Sequence, residues 1–543
     1  MTSEQLKPVA PSGITGSRAE RARMPLARKV LEETAIKHGV CIRPVPLRRV
    51  DLATGEEQII DIPCGATLSS VCPPCAEAKR QLRIDQCRTG WHLEQEPDFT
   101  RDPATEEQRL LVQLRSQAQK SLDDSDDSEA AEWEETISEI NAELAATGVR
   151  GRLGVERAAR RVRSTRRRQD ASELPKRPVS ARTVGKVYEA ASGKKFRPSM
   201  FLTLTLDSYG RVTKDGTPVE PAAYDYPRAA RDAIHFARLV DRFVQNLRRF
   251  VGFDVQYFAA VEPQRRLAPH LHMAIRGTIS RAELREVIAA TYHQVWWPST
   301  DEPVYVDQLP EWHDGIGAYV DAKTGEILPT WDQALDDIGP DDEPSHVARF
   351  GRQFDAQGVL AGTKDANRAI GYLAKYLTKS VDQCHEAASD AQREHVSRLV
   401  EALRYEPCSP TCANWLRYGV QPKNARPGLH PGACRGKAHK PTHLGYGGRR
   451  VLVSRKWSGK TLTDHKTDRK NWVTEVLGIE PQQPATGRYS FEYVSRDDAK
   501  LKPLTVRLMH RIAERVTWRA QLDAVRNGPR PPADLSATAG RVA

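Results

Sequence analysis

The sequence predicts an α+β protein in which an antiparallel sheet carries flanking helices, with cysteine-rich zinc modules near both ends and a helical insertion between them. Short apolar, β-rich runs at 201–207, 255–261 and 269–276 are interleaved with amphipathic helical stretches, a pattern typical of α+β domains. The cysteines fall into two groups, one near the N-terminus and one in the last third of the chain. In a large chain without secretory features, such groups indicate metal sites more than disulfides.

The balance of charge points to a polyanionic partner. The 543 residues include 82 Lys and Arg against 71 Asp and Glu, which gives a net charge of +11. A basic protein of this kind most often binds nucleic acid. We see no N-terminal apolar stretch of the signal-peptide type and no apolar run of membrane-spanning length. We therefore expect a cytoplasmic protein without membrane contacts.

Shifts in composition along the chain predict the order of its domains. The predicted ranges are 1–35 (flexible N-terminus), 36–95 (zinc-ribbon-like module), 96–195 (charged helical insertion and basic arm), 196–400 (sheet-bearing domain), 401–465 (second cysteine/histidine module and basic surface), 466–525 (C-terminal helical region) and 526–543 (disordered tail). Within the sheet-bearing domain the pattern predicts helices over 228–250, 281–296 and 365–382, with an acidic, loop-rich stretch up to about residue 360.

The predicted insertion combines opposite charges. Residues 104–147 are acidic and helical in pattern, and a strongly basic run that contains Arg160 and Arg161 follows from Arg150 to Arg168. A charge run is most often a solvated helix face or a flexible arm. The alternative is an arm that grips DNA phosphates, or that pairs with the acidic segment when DNA is absent.

The most informative motif is His270-Leu271-His272. On a strand both histidines point to one face while Leu271 points to the other, toward a core. Glu262 ends the preceding strand, and an antiparallel hairpin would bring its carboxylate close to both imidazoles. Two histidines and one carboxylate suit Mg²⁺ or Mn²⁺ when water and phosphate oxygens complete the coordination. The alternative is a pair of surface histidines beside a solvated strand end.

A second element supplies a candidate nucleophile. Tyr372 and Tyr376 are four residues apart and share one face of a predicted helix, and Lys375 and Lys379 repeat that spacing on a neighbouring face. A phenol has a pKa of about 10 and attacks poorly at neutral pH unless it is assisted. A nearby ammonium favours the phenolate and can hold a phosphate. The alternative is that the tyrosines are ordinary core aromatics.

Taken together, these motifs resemble a known family. Phe201–Thr205, Pro269–His272 and Gly371–Lys379 occur in the order found in the HUH endonucleases, which are named for histidine, hydrophobic residue, histidine. More closely, the chain resembles the RepSA-like replication initiators of actinobacterial rolling-circle plasmids and integrative elements. Further shared stretches are Val71–Ala76, Cys408–Trp415, Gln421–Gly428 and Val453–Thr461. The resemblance covers roughly residues 36–90 and 196–465 and implies an HUH-type antiparallel sheet.

The resemblance implies a rolling-circle initiator of the bacterial cytoplasm. Such an enzyme uses Mg²⁺ or Mn²⁺ to nick one strand of the plasmid origin through a 5′-phosphotyrosine intermediate, with Tyr372 as leading nucleophile and Tyr376 as the second. Its partners would be origin DNA, single-stranded or in a hairpin, and a host helicase with the replication machinery. The alternatives are an HUH-type transposase or conjugative relaxase, and a non-catalytic, zinc-stabilised DNA-binding regulator. The insertion at 96–195 departs from the family pattern, and the oligomeric state is left open.

Each cysteine group predicts one structural zinc site. In the first, Cys72 and Cys75 have knuckle spacing, Cys64 lies shortly before them, and the resemblance implies Cys41 as fourth ligand. The rival ligands there are Cys87 and His92. The second predicted ligand set is Cys408, Cys412, Cys434 and His439, with His430 and His443 as rivals.

The segment Trp457–Thr461 ends like a phosphate-binding loop but lacks the earlier glycine, since Ser454 occupies that position. Without an ATPase motif, unwinding of the duplex falls to a partner helicase. We interpret the basic residues of this region as a surface for the DNA backbone instead. They are Arg449, Arg450, Arg455, Lys456 and Lys460.

Overall fold

The structure is a computed structural model. It describes residues 25–91, 93–98, 103–125, 129–149, 169, 171–184, 188–189, 191–193, 195–360, 363–375, 387, 389–476, 488–495 and 497–527. The chain divides into a main unit, formed by Met1–Glu96 together with Gln169–Ala543, and a smaller unit, Pro97–Arg168.

Helices and strands are interleaved along the described parts of the chain. The helices are α1 (Pro25–His38), α2 (Pro73–Trp91), α3 (Glu106–Asp124), α4 (Ala130–Ala146), α5 (Tyr226–Val251), α6 (Arg281–Ala290), α7 (Trp331–Asp336), α8 (Lys364–Lys375), α9 (Asp390–Tyr405), α10 (Leu462–Val476) and α11 (Leu504–Asn527). The strands are β1 (Val45–Asp51), β2 (Glu57–Ile62), β3 (Tyr188–Glu189), β4 (Lys195–Phe196), β5 (Pro198–Leu206), β6 (Tyr257–Pro263), β7 (Pro269–Arg276), β8 (Tyr292–Val295), β9 (Glu311–His313), β10 (Ala318–Val320), β11 (His346–Leu360), β12 (Val451–Val453) and β13 (Tyr489–Tyr493).

A six-stranded sheet in the order β12-β6-β7-β5-β11-β8 is the centre of the main unit, and each neighbouring pair is antiparallel. The predicted α+β class with an antiparallel sheet is therefore confirmed. The hydrophobic alternation of the strands decides which face each side chain takes. Leu202 and Leu204 of β5 and Leu271 and Met273 of β7 are fully buried in one core, beneath one face of the sheet.

Helix α5 covers that face. Its apolar stripe includes Phe236, Phe243 and Leu247, which belong to the same core. The ends of the helix carry the expected signals, because the Asp225 side chain accepts a hydrogen bond from the Arg228 amide and Gly252 ends the helix in a left-handed conformation (φ 74°).

The opposite face of the sheet carries a second core formed by α8 and by the C-terminal end of α2. Ala274 of β7 is buried there beside Ile370 of α8 and Trp91 of α2. The Arg276 guanidinium, at the end of β7, donates to the carbonyl oxygens of Gly90 (3.0 Å), Trp457 (3.1 Å) and Lys456 (2.8 Å). One buried cation thus ties the N-terminal module and the segment after β12 to the central sheet.

A smaller sheet in the order β13-β1-β2 joins distant parts of the chain. Helix α1 lies against α11, where Ala35 and Val40 are buried with Leu508.

The structure differs from two of the ranges that the sequence predicts. From Pro25 onward the predicted flexible segment 1–35 is helical, because its apolar side chains meet a distant partner helix. The predicted helical region 466–525 includes strand β13. Of the predicted tail 526–543, the first two residues belong to α11 and the rest lies outside the described residues.

Two further elements were predicted differently. The helix expected over 281–296 ends at Ala290, and the following Tyr292–Val295 forms β8, since aromatic and β-branched residues favour a strand once β11 offers a partner. The stretch expected to be loop-rich contains the long strand β11. Its register shifts between Phe350 and Phe354, which interrupts the alternation that would have identified it.

In the described part of the smaller unit, α3 and α4 pack together, as the helical pattern of 104–147 predicts. Leu111 and Ala118 of α3 and Ile137 and Leu144 of α4 are its buried side chains. Arg160 and Arg161 lie outside the described residues.

The contact between α2 and Trp457 can be tested at Gly90. A Cβ atom on Gly90 would lie 2.2 Å from the Trp457 ring, while a Cβ on Gly371 of α8 would meet nothing within 4 Å. We expect Gly90→Ala to destabilise the protein by about 1–3 kcal/mol through overpacking. The matched variant Gly371→Ala should be neutral or stabilising by about 0.5–1 kcal/mol. Urea unfolding midpoints measure both, and equal midpoints for the two variants would contradict the close packing.

Candidate active site and metal centres

The hairpin β6–β7 brings Glu262 and the two histidines together. Glu262 pairs with His270 and Ala260 pairs with His272, so all three functional side chains project from one face. The Glu262 Oε1 lies 2.7 Å from His272 Nε2 and 3.6 Å from His270 Nε2. The predicted hairpin geometry is thereby confirmed.

Burial and hydrogen bonding together determine the charge of these groups. Glu262 and His272 are 5% and 4% exposed. Burial alone would raise the pKa of the Glu262 carboxyl, but hydrogen bonds from His270 and His272 outweigh it and lower the pKa to about 2. Burial lowers the pKa of His270 below its ordinary value. At neutral pH the carboxylate is therefore ionised and the His270 imidazole is neutral, which is the state in which both bind a metal.

Strand β5 holds His272 from the other side. Thr203 is the strand partner of His272, and its Oγ1 lies 3.0 Å from His272 Nδ1. The Phe201 ring stacks on His272 with centroids 5.8 Å apart and planes 8° apart. These contacts occupy Nδ1 and turn Nε2 toward Glu262. The sequence motif included both residues without assigning them a role, although their alternate spacing on β5 places them on one face.

Tyr372 of α8 reaches the same place. Its Oη lies 3.3 Å from His272 Nε2, and its ring centroid lies 4.7 Å from that of His272. Ile370 and Leu373 of α8 are buried in the second core, whereas Tyr372 is 40% exposed. The phenol is therefore open to a substrate and is not a core aromatic. Lys375 is exposed one turn later.

The predicted second pair, Tyr376 and Lys379, lies outside the described residues.

The donor set at the hairpin fits a divalent cation. One ligand atom from each of Glu262, His270 and His272 lies within 4.8 Å of the others. Two imidazole nitrogens and one carboxylate oxygen leave further coordination positions for water and phosphate. With Nε2 as the metal ligand, the Nδ1–H of His272 would donate to the Thr203 hydroxyl oxygen, which is the kind of support that metal-binding histidines normally have.

The first cysteine site forms as predicted from Cys41, Cys64, Cys72 and Cys75. The sulfurs of Cys64 and Cys75 are 3.7 Å apart and those of Cys41 and Cys72 are 3.8 Å apart. Zn–S bonds of about 2.3 Å at tetrahedral angles require S–S separations of about 3.8 Å. The four thiols can therefore hold one structural zinc ion.

The second site combines Cys408, Cys412, Cys434 and His439. The Cys412 sulfur lies 3.4 Å from His439 Nε2, and His439 Nδ1 lies 2.9 Å from the Leu403 carbonyl oxygen, which fixes the ring orientation. Gly436 is needed here, because a Cβ would lie 2.9 Å from the Cys408 sulfur. This set too can hold a structural zinc ion.

The rival ligands are placed elsewhere or not described. Cys87 is buried in the core beside Trp91, and His430 and His443 do not belong to the metal-binding groups found among the described residues. His92 lies outside the described residues.

The predicted basic surface lies along the edge of the sheet. The Val261 amide donates to the Arg450 carbonyl oxygen (2.8 Å), which places Arg450 beside Glu262. Arg449, Arg455 and Lys460 are exposed, whereas Lys456 is partly buried and uses its backbone to hold Arg276.

Comparison with known proteins agrees with these features. No helix in the described part of the chain is long and apolar enough to cross a membrane. No curated protein and no solved structure matches the chain significantly. Residues 27–514 match the RepSA family, described as "Replication initiator protein, pSAM2", and this range contains the hairpin, α8 and both cysteine sites. The chain therefore belongs to the RepSA family of replication initiator proteins.

Proposed function

We propose that the protein is a rolling-circle replication initiator that nicks the plasmid origin as a metal-dependent single-strand DNA endonuclease and strand transferase. The observation that carries this proposal is the position of the Tyr372 hydroxyl, 3.3 Å from His272 in the Glu262–His270–His272 cluster. An exposed phenol, the candidate nucleophile, thus lies beside a buried set of candidate metal ligands. The antiparallel sheet with this hairpin at its centre supports an HUH-type fold.

The proposed reaction exchanges one phosphate ester for another. The Tyr372 Oη attacks the phosphorus of the scissile phosphate, the bond from phosphorus to the 3′ oxygen breaks, and a 5′-phosphotyrosine forms. The phenol loses one proton and the departing 3′ oxygen gains one, so the step needs no oxidant, reductant or nucleotide cofactor. The free 3′ hydroxyl then primes synthesis, and a second transesterification, for which we propose Tyr376, releases the product strand.

The surrounding residues divide the remaining tasks. Glu262, His270 and His272 would hold Mg²⁺ or Mn²⁺, and such an ion supplies electrostatic stabilisation of the charge that develops on the phosphate. Thr203 and Phe201 fix the orientation of His272. Lys375 is exposed one helical turn after Tyr372, and its ammonium group would favour the phenolate and attract the phosphate.

The DNA contacts outside the site extend this proposal. Arg449, Arg450, Arg455, Lys456 and Lys460 would bind the DNA backbone at the sheet edge. For Arg160 and Arg161 of the basic arm, and for the helicase and replication machinery, the sequence pattern and the family resemblance are the support.

Tyr372→Phe tests the nucleophile. The variant keeps the ring that touches Phe201 and His272 but lacks the attacking oxygen, so we expect covalent adduct formation on single-stranded origin DNA to fall by about a thousandfold or more. Denaturing gels measure the adduct in Mn²⁺, and filter binding measures retained DNA affinity. Tyr493→Phe, at a side chain that is 84% exposed on β13, is the control. An undiminished adduct in a Tyr372→Phe/Tyr376→Phe double variant would refute the assignment.

Thr203→Val tests the support of the metal ligand. Loss of the hydrogen bond to His272 Nδ1 should raise the Mn²⁺ concentration for half-maximal nicking by about 10-fold. Thr205→Val is the matched control, because the Thr205 hydroxyl donates to the Gln353 carbonyl oxygen (3.2 Å) and not to a histidine. Glu262→Gln, which removes a ligand charge, should have a larger effect than Thr203→Val. The non-catalytic alternative predicts no effect from any of these variants.

Zinc content tests the two cysteine sites separately. In a His272→Ala background, where only the cysteine sites are expected to retain zinc, we predict two zinc ions per chain by elemental analysis. Cys72→Ser and Cys412→Ser should each lose one ion and lower the unfolding midpoint, because structural zinc contributes directly to folding free energy. Cys87→Ala removes a buried thiol outside both sites and should keep two ions. Retention of two ions by Cys412→Ser would exclude the second site.

A further inference from the structure

A groove remote in sequence from the hairpin combines aromatic rings with positive charge. It has a volume of about 880 Å³ and lies between α1, the first half of α2, α10 and α11. Trp472 of α10 and Trp518 of α11 line it, and Trp472 is 58% exposed. An indole is a large apolar surface, and its exposure in a groove marks a contact site.

The groove is strongly basic. Its charged lining consists of one carboxylate, Glu77, and five cationic side chains, Lys466, Arg469, Lys470, Arg515 and Arg519. The Arg515 guanidinium lies over the Trp518 ring, 5.1 Å from its centroid. Its Nε is buried without a hydrogen-bond partner among the described residues. Burial lowers the pKa of Arg515, and the positive charges of Arg519 and Arg511 lower it further. Arg469 pairs with Asp85 (3.7 Å), but the five cationic side chains outnumber the one carboxylate of the lining, so an anionic occupant would reduce the repulsion among them.

We propose that this groove binds single-stranded DNA, with phosphates on the cationic side chains and unpaired bases stacked on Trp472 and Trp518. Single-strand binding surfaces combine these two features, a positive groove and aromatic rings, because every base has a face that can stack. Paired bases of a duplex present only their edges in the grooves and cannot lie flat on an indole. An acidic peptide would match the charge but has no planar groups for the two rings.

The groove shares no residue with the hairpin site. Helix α2 connects the two regions, because Glu77 lines the groove while Trp91 packs in the second core, with α8 and Ala274 of β7. At 1.5 Å per residue these two positions are about 21 Å apart along the helix. If the proposed nicking function holds, such a second anchor would keep the displaced strand on the protein between the two cuts.

The first test measures stacking. In the Tyr372→Phe background and without added divalent metal, the affinity for a labelled oligothymidylate is compared between the parent and Trp472→Ala. We expect about tenfold weaker binding, since stacking on one aromatic ring typically contributes that much. Tyr493→Ala, which removes an exposed ring on β13, is the control and should bind like the parent. Equal affinities for Trp472→Ala and Tyr493→Ala would overturn the proposal.

The second test measures charge. The slope of log affinity against log salt should become shallower by about 1.4 in Lys466→Gln/Lys470→Gln, because each lysine that contacts a single strand contributes about 0.7. Lys500→Gln/Lys502→Gln removes the same charge from another exposed surface and should leave the slope unchanged. An unchanged slope in Lys466→Gln/Lys470→Gln would overturn the proposal.

Two other occupants have their own outcomes. Loss of affinity for duplex but not for oligothymidylate would replace our proposal with a duplex site. A lower unfolding midpoint in Trp472→Ala with unchanged DNA affinity would mean that Trp472 packs against another part of this chain and does not bind DNA. Photocrosslinking of 5-iodouracil-containing oligothymidylate to the peptide that contains Trp472 is the expected positive result. None of these assays requires nicking, so their failure is distinguishable from failure of the proposed function.

Discussion

The register of the β6–β7 hairpin is the constraint on which the rest of the site depends. Glu262 stands opposite His270, and both share a face with His272 only in this pairing. A slip by one residue would turn the imidazoles into the core and expose Leu271 and Met273. Burial of each such side chain contributes about 1.5–3 kcal/mol, so the core fixes the register. The metal ligands are thus positioned by residues that have no chemistry of their own.

Strand β7 also connects the site to distant segments of the chain. Arg276 follows the two histidines on the same face and donates to the carbonyl oxygens of Gly90, Lys456 and Trp457. A buried guanidinium is costly unless its donors are paired, and here chain segments from both sides of the sheet-bearing domain accept hydrogen bonds from its two terminal nitrogens. Cys75 of the first cysteine site lies in the first turn of α2, and Gly90 lies in the last turn of the same helix. Arg276 therefore connects the N-terminal module to the central sheet through α2.

Periodic patterns in the sequence were sufficient to predict individual strands and helices. The alternation of β7 and the apolar stripe of α5 were sufficient for those elements. Cysteine spacing grouped Cys64, Cys72 and Cys75, which lie together in the structure, whereas Cys41 was added from the family resemblance. What could not be predicted depends on distant partners. Strand β13 exists because it pairs with β1, more than 400 residues earlier. Thr203 contacts His272 only because β5 pairs with β7, and the sequence of either strand alone does not predict that pairing.

The electrostatics of the hairpin are the reason why we propose a cation there and not a purely structural role. Glu262 is ionised although it is buried, and its ion-pair partners among the described residues are His270 and His272. Burial lowers the pKa of His270, so this partner carries no charge at neutral pH. The Glu262 carboxylate is thus buried beside a neutral His270 imidazole, and a neutral donor offsets less of the desolvation cost than a full positive charge does. Under the proposed function, a divalent cation held by Glu262, His270 and His272 would offset that cost, and the exposed phenol of Tyr372 would face the phosphate that the cation attracts.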